Sequence, residues 1–156
     1  CLGGVRRQDS VRAGLKRLGK VEWVIIHDAA RPCVDQATIY RGLEAAKETG
    51  AAVAAVPVTD TIKSVGEQGQ VLETLNRSPL WSVQTPQAFR RNLLEASIAY
   101  TDADVTDEAT ILERMGHTVK IFQGDEGNIK VTTRQDLAIA EAILASRVVA
   151  EVLPSA

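Results

Sequence analysis

Three features of this 156-residue chain predict an α/β domain, with a mostly parallel sheet flanked by helices and one protruding β-arm. Short apolar runs rich in β-branched residues alternate with helical patterns, the rhythm of parallel strands joined by right-handed crossovers. One stretch, residues 58–77, breaks that rhythm by alternating apolar and polar residues around a Gly-Glu-Gln-Gly turn. Charged loops follow the apolar runs directly, which is where open α/β sheets bind ligands. The length suits a single domain over residues 1–156, and no linker, repeat or low-complexity tract divides it.

The elements follow in order. Gly3-Gly4 leads into a helix that Asp9 or Ser10 can cap, with Val11, Leu15 and Leu18 as its apolar stripe and Gly19 as its stop. Residues 21–26 (VEWVII) read as a strand covered on both faces. Asp35 or Thr38 can cap a second helix, with Ile39, Leu43 and Ala46 buried and Gly50 ending it. Residues 51–56 (AAVAAV) form a second buried strand, and residues 58–77 form the hairpin arm.

Strand character resumes over residues 80–85, where Pro86 is expected to stop it. A helix is predicted over residues 89–100, with Leu93, Leu94 and Ile98 inward. Thr106-Asp107-Glu108 opens another, with Ile111, Leu112 and Met115 inward and Gly116 at its end. Residues 119–122 and 129–131 read as short strands. A last helix runs from about 134 to about 149, with Leu137, Ile139, Ala140, Ile143 and Leu144 supplying its apolar face.

Composition narrows the function classes. A net charge of -2 argues against nucleic acid as the main partner, because phosphate-backbone binding wants a basic surface. No apolar run approaches a membrane span and no signal peptide is visible, so a soluble, cytoplasmic protein is expected. Cys1 and Cys33 provide neither a disulfide framework nor a metal cluster and read as two reduced thiols. There is no GxSxG elbow, HExxH or CxxC, so hydrolase and metalloprotease readings lack their parts.

Four sets of residues can carry chemistry. In residues 27–32 (HDAARP), a carboxylate just beyond a buried strand can hold a ribose hydroxyl or a phosphate-bound Mg²⁺, and Arg31 can fork onto a phosphate. The plain alternative is an Asp–Arg pair that fixes the loop. In residues 128–132 (NIKVT), Lys130 is costly to bury unless it points at an anion, the alternative being an edge lysine in solvent. Residues 3–10 (GGVRRQDS) can offer backbone N–H groups and Ser10 to a nucleotide, or form an ordinary turn with an N-cap. Thr61, Arg77, Thr85 and Thr106 suit a polyol phosphate as a set, although surface or capping roles are the commoner use of each. His27 reads as a brace of the strand end, and His117 as part of a turn.

Six stretches together resemble the 2-C-methyl-D-erythritol 4-phosphate cytidylyltransferase family of non-mevalonate isoprenoid synthesis. They are GGVRRQDSVRAGL (3–15), WVIIHDAARPC (23–33), PVTDTIK (57–63), RSPLWSVQTPQAF (77–89), TDEA (106–109) and NIKVTT (128–133), in an order and spacing that span nearly the whole chain. HDAARP alone is less specific, since ribitol phosphate cytidylyltransferases carry a similar motif.

The resemblance implies a Rossmann-like sheet and a homodimer built through the arm at 58–77. It implies CTP and 2-C-methyl-D-erythritol 4-phosphate as substrates, with Mg²⁺ as the cofactor. Gly4, Arg7 and Ser10 would lie on the CTP side, and Asp28 near nucleotide, metal and acceptor. Arg31, Thr85, Thr106 and Lys130 would face the methylerythritol phosphate. Thr61 and Arg77 would reach the acceptor bound in the partner subunit, and Lys130, Arg77 and Asp28 would carry the catalysis.

The chain opens on Cys1-Leu2-Gly3-Gly4 without an initiator Met, which reads as the tail of a strand entering a turn. The family begins with a βα unit and a basic, glycine-rich loop around the triphosphate, so residues are expected upstream, and this stretch alone is expected to be inactive. The other readings are a ribitol-5-phosphate cytidylyltransferase and a non-catalytic dimerisation fragment.

Overall fold

The computed structural model describes residues 1–100, 105 and 107–152. Its elements are α1 (Arg7–Arg17), β1 (Trp23–Ile26), α2 (Gln36–Thr49), β2 (Ala51–Pro57), β3 (Lys63–Val65), β4 (Val71–Thr74), β5 (Trp81–Arg90), α3 (Arg91–Tyr100), α4 (Glu108–Arg114), β6 (Lys120–Gln123) and α5 (Arg134–Val152). Four strands form the central sheet in the order β1-β5-β2-β6. β2 and β6 pair in parallel, and β5 is antiparallel to both β1 and β2. β1, β2 and β6 therefore share one direction, but β5 is inserted against it between β1 and β2. Two of the three pairings are antiparallel, so the sheet is mixed rather than mostly parallel as expected.

The two-residue period of β2 divides the core. Ala51 and Val53 face one cluster with Leu15, Phe89, Leu94 and Leu112, so α1, α3 and α4 cover that side. Ala52 and Ala54 face the other with Ala45, Ala46 and Phe122, beneath α2. The small residues let α2 sit close to the sheet. A Cβ added at Gly42 would lie 2.8 Å from Phe122 Cζ, so the ring occupies the space a side chain would need.

Local chemistry sets the boundaries. Asp35 caps α2 by accepting from Thr38 N at 2.6 Å, and Gly50 ends it in the left-handed region at φ 87°. α1 starts earlier than the sequence suggested: Arg6, not Asp9 or Ser10, is its N-cap. Asp9 works from inside the first turn, accepting from Arg6 N at 3.2 Å, while Ser10 Oγ accepts from Gly4 N at 3.0 Å.

Pro86 does not stop the strand. Between the pairs Val53↔Gln87 and Ala55↔Val83, residues 84–86 of β5 stand opposite the single residue Ala54. This bulge asks for no N–H from the proline, so β5 continues to Arg90, taking Phe89 and Arg90 from the predicted helix. The Thr85–Pro86 peptide is cis. Residues 129–131 are not a strand either, for their link to the sheet side is one bond, from Val131 N to Ala30 O at 2.7 Å.

The hairpin arm is present as the antiparallel pair β3–β4 around Gly66–Gly69, a sheet separate from the central one. Val65, Val71 and Leu72 on it are exposed. α5 differs from expectation on its predicted apolar face, where Leu137, Ile139 and Leu144 are 52%, 45% and 40% exposed and Ala140 is buried. The helix rests on loops, with Cys33 Sγ donating to Ala140 O and Arg147 reaching Cys33 O and Asp125. Among the described residues no helix is long and apolar enough to cross a membrane.

Candidate functional site

β1 ends at Ile26, and the chain turns immediately into the HDAARP loop. His27 braces that turn, as expected. Its Nε2 lies 3.0 Å from Arg31 O and must carry a proton there, because a carbonyl only accepts. Its Nδ1 lies 3.0 Å from Thr85 Oγ1, and the same hydroxyl accepts from Asp28 N at 3.0 Å. Thr85 on β5 thus fixes the height of Asp28 above the sheet.

The segment before α5 is stitched to this loop. Asn128 is buried, and its Nδ2 donates to Thr85 O at 2.7 Å while Arg31 Nη1 donates to Asn128 O at 2.7 Å. Gln84 holds the preceding turn through Asp125 O at 2.9 Å. These bonds deliver Lys130, whose Nζ stands 3.0 Å from Asp28 Oδ2 with its side chain 50% exposed. The lysine faces an anion and half faces solvent, so both of the sequence-level alternatives describe part of it.

Arg7, the first residue of α1, approaches Asp28 from the opposite side, Nε to Oδ1 at 3.7 Å, and also pairs with the buried Glu108. Burial pushes the Asp28 carboxyl up, but the hydrogen bond and charge of Lys130, with Arg7 and Arg31, outweigh it and hold it below its usual value. For Arg7 burial works against the charge and is overcome by Glu108, Asp28 and Asp107. Arg31 is lowered by burial, which Asp28 opposes.

Two concavities meet at this point. A cavity of ≈ 220 Å³ is walled by Arg31, Lys130, Thr85, Gln87 and Asp107. A groove of ≈ 480 Å³ runs along β1 and α1 past Ser10, Val11 and Gly14. Arg7 and Asp28 line both and so form the wall they share. Such a pair of adjoining sites, one polar and cationic and one longer and more apolar, suits two substrates that must meet.

Of the residues singled out from sequence, Arg7, Ser10, Asp28, Arg31, Thr85 and Lys130 border one or both spaces. Gly4 stands at the groove's end through its bond to Ser10, and a Cβ there would lie 2.2 Å from Asp9 Cβ. Thr61 and Arg77 border neither; they lie at the arm's root, where Arg77 Nη1 donates to Thr59 O. Thr106 lies outside the described residues.

Gln84 and Gln87 carry no role on the sequence alone, Asp107 and Glu108 only open a helix there, and Asn128 only begins the stretch that holds Lys130. Two amides flanking a proline within a strand were the available signal, since buried amides need partners. No group of three or more His, Cys, Asp or Glu side chains among the described residues is placed to hold a metal ion.

The sequence model of the family described as "IspD: 2-C-methyl-D-erythritol 4-phosphate cytidylyltransferase" matches residues 1–146. A relative of that name from Dehalococcoides mccartyi is 49% identical over 144 residues, covering 92% of this chain and 63% of its own length. Another from Bacillus licheniformis is 51% identical over 147 residues, covering 91% of this chain and 62% of its own. The chain therefore spans less than two thirds of these curated relatives. The crystal structure of the Thermus thermophilus protein of the same name superposes with a TM-score of 0.84 at 36% identity, covering 92% of this chain and 71% of that one.

Proposed function

The chain belongs to the 2-C-methyl-D-erythritol 4-phosphate cytidylyltransferase family, and from that premise we propose that the full-length protein transfers a cytidylyl group from CTP to 2-C-methyl-D-erythritol 4-phosphate, releasing pyrophosphate. The observation that carries the reading is the wall of Arg7 and Asp28 shared by groove and cavity. CTP would lie on the groove side against Gly4, Arg7 and Ser10. The acceptor would enter the cationic cavity of Arg31 and Lys130, with Thr85 beside it.

In the reaction an acceptor phosphate oxygen bonds to the α-phosphorus of CTP as the bond from that phosphorus to the bridging oxygen of the β-phosphate breaks. The attacking oxygen is already ionised at neutral pH, so the chain needs no general base. What it supplies is alignment and charge, the usual protein contribution to phosphoryl transfer. Lys130 and Arg31 would draw the acceptor phosphate to the shared wall. Thr61 and Arg77, remote from this chain's own cavity, would serve the partner's acceptor in a homodimer joined through the arm. The exposed Val65, Val71 and Leu72 of the arm support that assembly.

A single carboxylate at a phosphate-binding wall fits Mg²⁺, which takes most of its ligands from phosphate oxygens and water. Asp28 would hold it, and the ion would neutralise the triphosphate. Both Asp28 oxygens face cations in this structure, so the metal would compete with Lys130 and Arg7 for them. A cytoplasmic location is in keeping with the two free thiols, and the charge of -2 with a partner other than nucleic acid.

The test is CTP-dependent pyrophosphate release by the full-length protein, with 2-C-methyl-D-erythritol 4-phosphate and D-ribitol 5-phosphate as alternative acceptors. Turnover with the first and not the second is expected. Preference for ribitol phosphate, or a stable dimer that turns over neither, would replace this reading.

A further inference from the structure

Glu108 is the first residue of α4 and is 1% exposed. A carboxylate so deep in a protein is costly unless a cation and hydrogen bonds compensate it. One compensation is visible: Oε2 accepts from Arg7 Nη1, while Oε1 has no hydrogen-bond partner among the described residues. The pair ties the first residue of α4 to the first residue of α1.

The support behind Glu108 is rigid. Its neighbour Asp107 caps α4 through Thr110 N at 2.9 Å and accepts from Gln87 Nε2 at 2.9 Å. Gln87 is a buried member of β5, so the start of α4 is anchored to the central sheet. Arg7 is thereby held by a buried carboxylate whose position the sheet determines. Its Nε remains 3.7 Å from Asp28 Oδ1, too far for a full hydrogen bond.

Two carboxylates thus compete for one guanidinium, and the buried one takes the close contact. Without Glu108, Arg7 would be free to close on Asp28 and quench the carboxylate at the shared wall. We propose that Glu108 is a positioning residue, holding Arg7 where it meets the nucleotide and keeping it off Asp28. The inference rests on the cytidylyltransferase reading, in which Arg7 lies on the CTP side.

Calorimetric titration of the full-length protein with CTP and, separately, with 2-C-methyl-D-erythritol 4-phosphate tests it, using Glu108→Gln, Arg7→Ala and the double variant. E108Q keeps the shape and removes the charge, and should weaken CTP binding about tenfold, the scale of one charge-assisted hydrogen bond. Acceptor affinity should be unchanged, and E108Q should add nothing to R7A. If E108Q does not fold, Glu108→Asp, which keeps the charge on a shorter stem, takes its place in the same cycle. CTP binding by E108Q at the unaltered strength, equal losses for both ligands, or additive effects with R7A would overturn the positioning role alone. An unaltered protein that does not bind CTP would overturn the functional reading and this assignment with it.

Discussion

Lys130 and Asp28 form an ion pair at 3.0 Å that joins the loop after β1 to the segment before α5. The two arrive by separate routes, Asp28 through its N–H on Thr85 Oγ1 and Lys130 through the Asn128 anchor on Thr85 O. Both supports converge on one residue of β5, so the pair is set by the sheet rather than by the loops. From this arrangement and the packing around it come four expectations.

Lys130→Ala in the full-length protein should lower kcat/KM by about 10²-fold or more, the size of a lost preorganised charge, with an unchanged circular dichroism spectrum. It should also let the Asp28 carboxyl rise, since Lys130 is the largest of the effects that lower it. The acidic limb of the pH–rate profile should then move to higher pH. An unchanged rate would remove Lys130 from the site.

Asn128→Ala removes the donor that Thr85 O accepts from at 2.7 Å in a buried setting. An unsatisfied buried carbonyl costs about 1–3 kcal/mol. Urea unfolding should show a loss in that range, and turnover should fall because Lys130 is no longer anchored. A stability loss with full activity would mean that Lys130 is positioned by other contacts.

Asp136 accepts from Thr132 N and Oγ1 and from Thr133 N, and these bonds lower its pKa to about 2. A folded-state pKa below the unfolded value of about 3.9 favours the folded protein at pH values above both. That contribution is complete above about pH 4 and is lost as pH falls through about 2. Asp136→Asn should therefore lower Tm near neutral pH and differ less and less from the unaltered protein down to pH 2. A gap that stays constant across this range would show that the carboxylate charge is not what these bonds use.

Gly42→Ala tests the packing of α2 on the sheet. In an open helix interior the change would stabilise by roughly 0.5–1 kcal/mol. Here the new methyl would stand 2.8 Å from the Phe122 ring, and overpacking of this kind costs about 1–3 kcal/mol. The steric effect should win, and thermal melting should show a lower Tm. A rise in Tm would mean that the ring yields at little cost.

The sequence made legible what depends on local pattern. The Gly50 stop is present, the cap falls on Asp35 of the two candidates, and a hairpin lies within residues 58–77. The opposed direction of β5 was not legible, because a buried run has the same composition whichever way it is inserted. Nor was the bulge that carries β5 past Pro86, since it depends on Ala54 facing three residues of another strand. The same reason hid Glu108 and Asn128, whose meaning lies in partners distant along the chain. Arg31 stands out as a cation just after an apolar strand and Lys130 as a cation between apolar residues, and both border the polar cavity.

The central claim is that two substrates meet across the wall of Arg7 and Asp28. Steady-state kinetics of the full-length protein, with CTP and the acceptor varied in turn, tests it most directly through Arg7→Ala and Arg31→Ala. R7A should raise KM chiefly for CTP, and R31A chiefly for 2-C-methyl-D-erythritol 4-phosphate. Equal effects of both variants on both substrates, or a reversed assignment, would contradict the account.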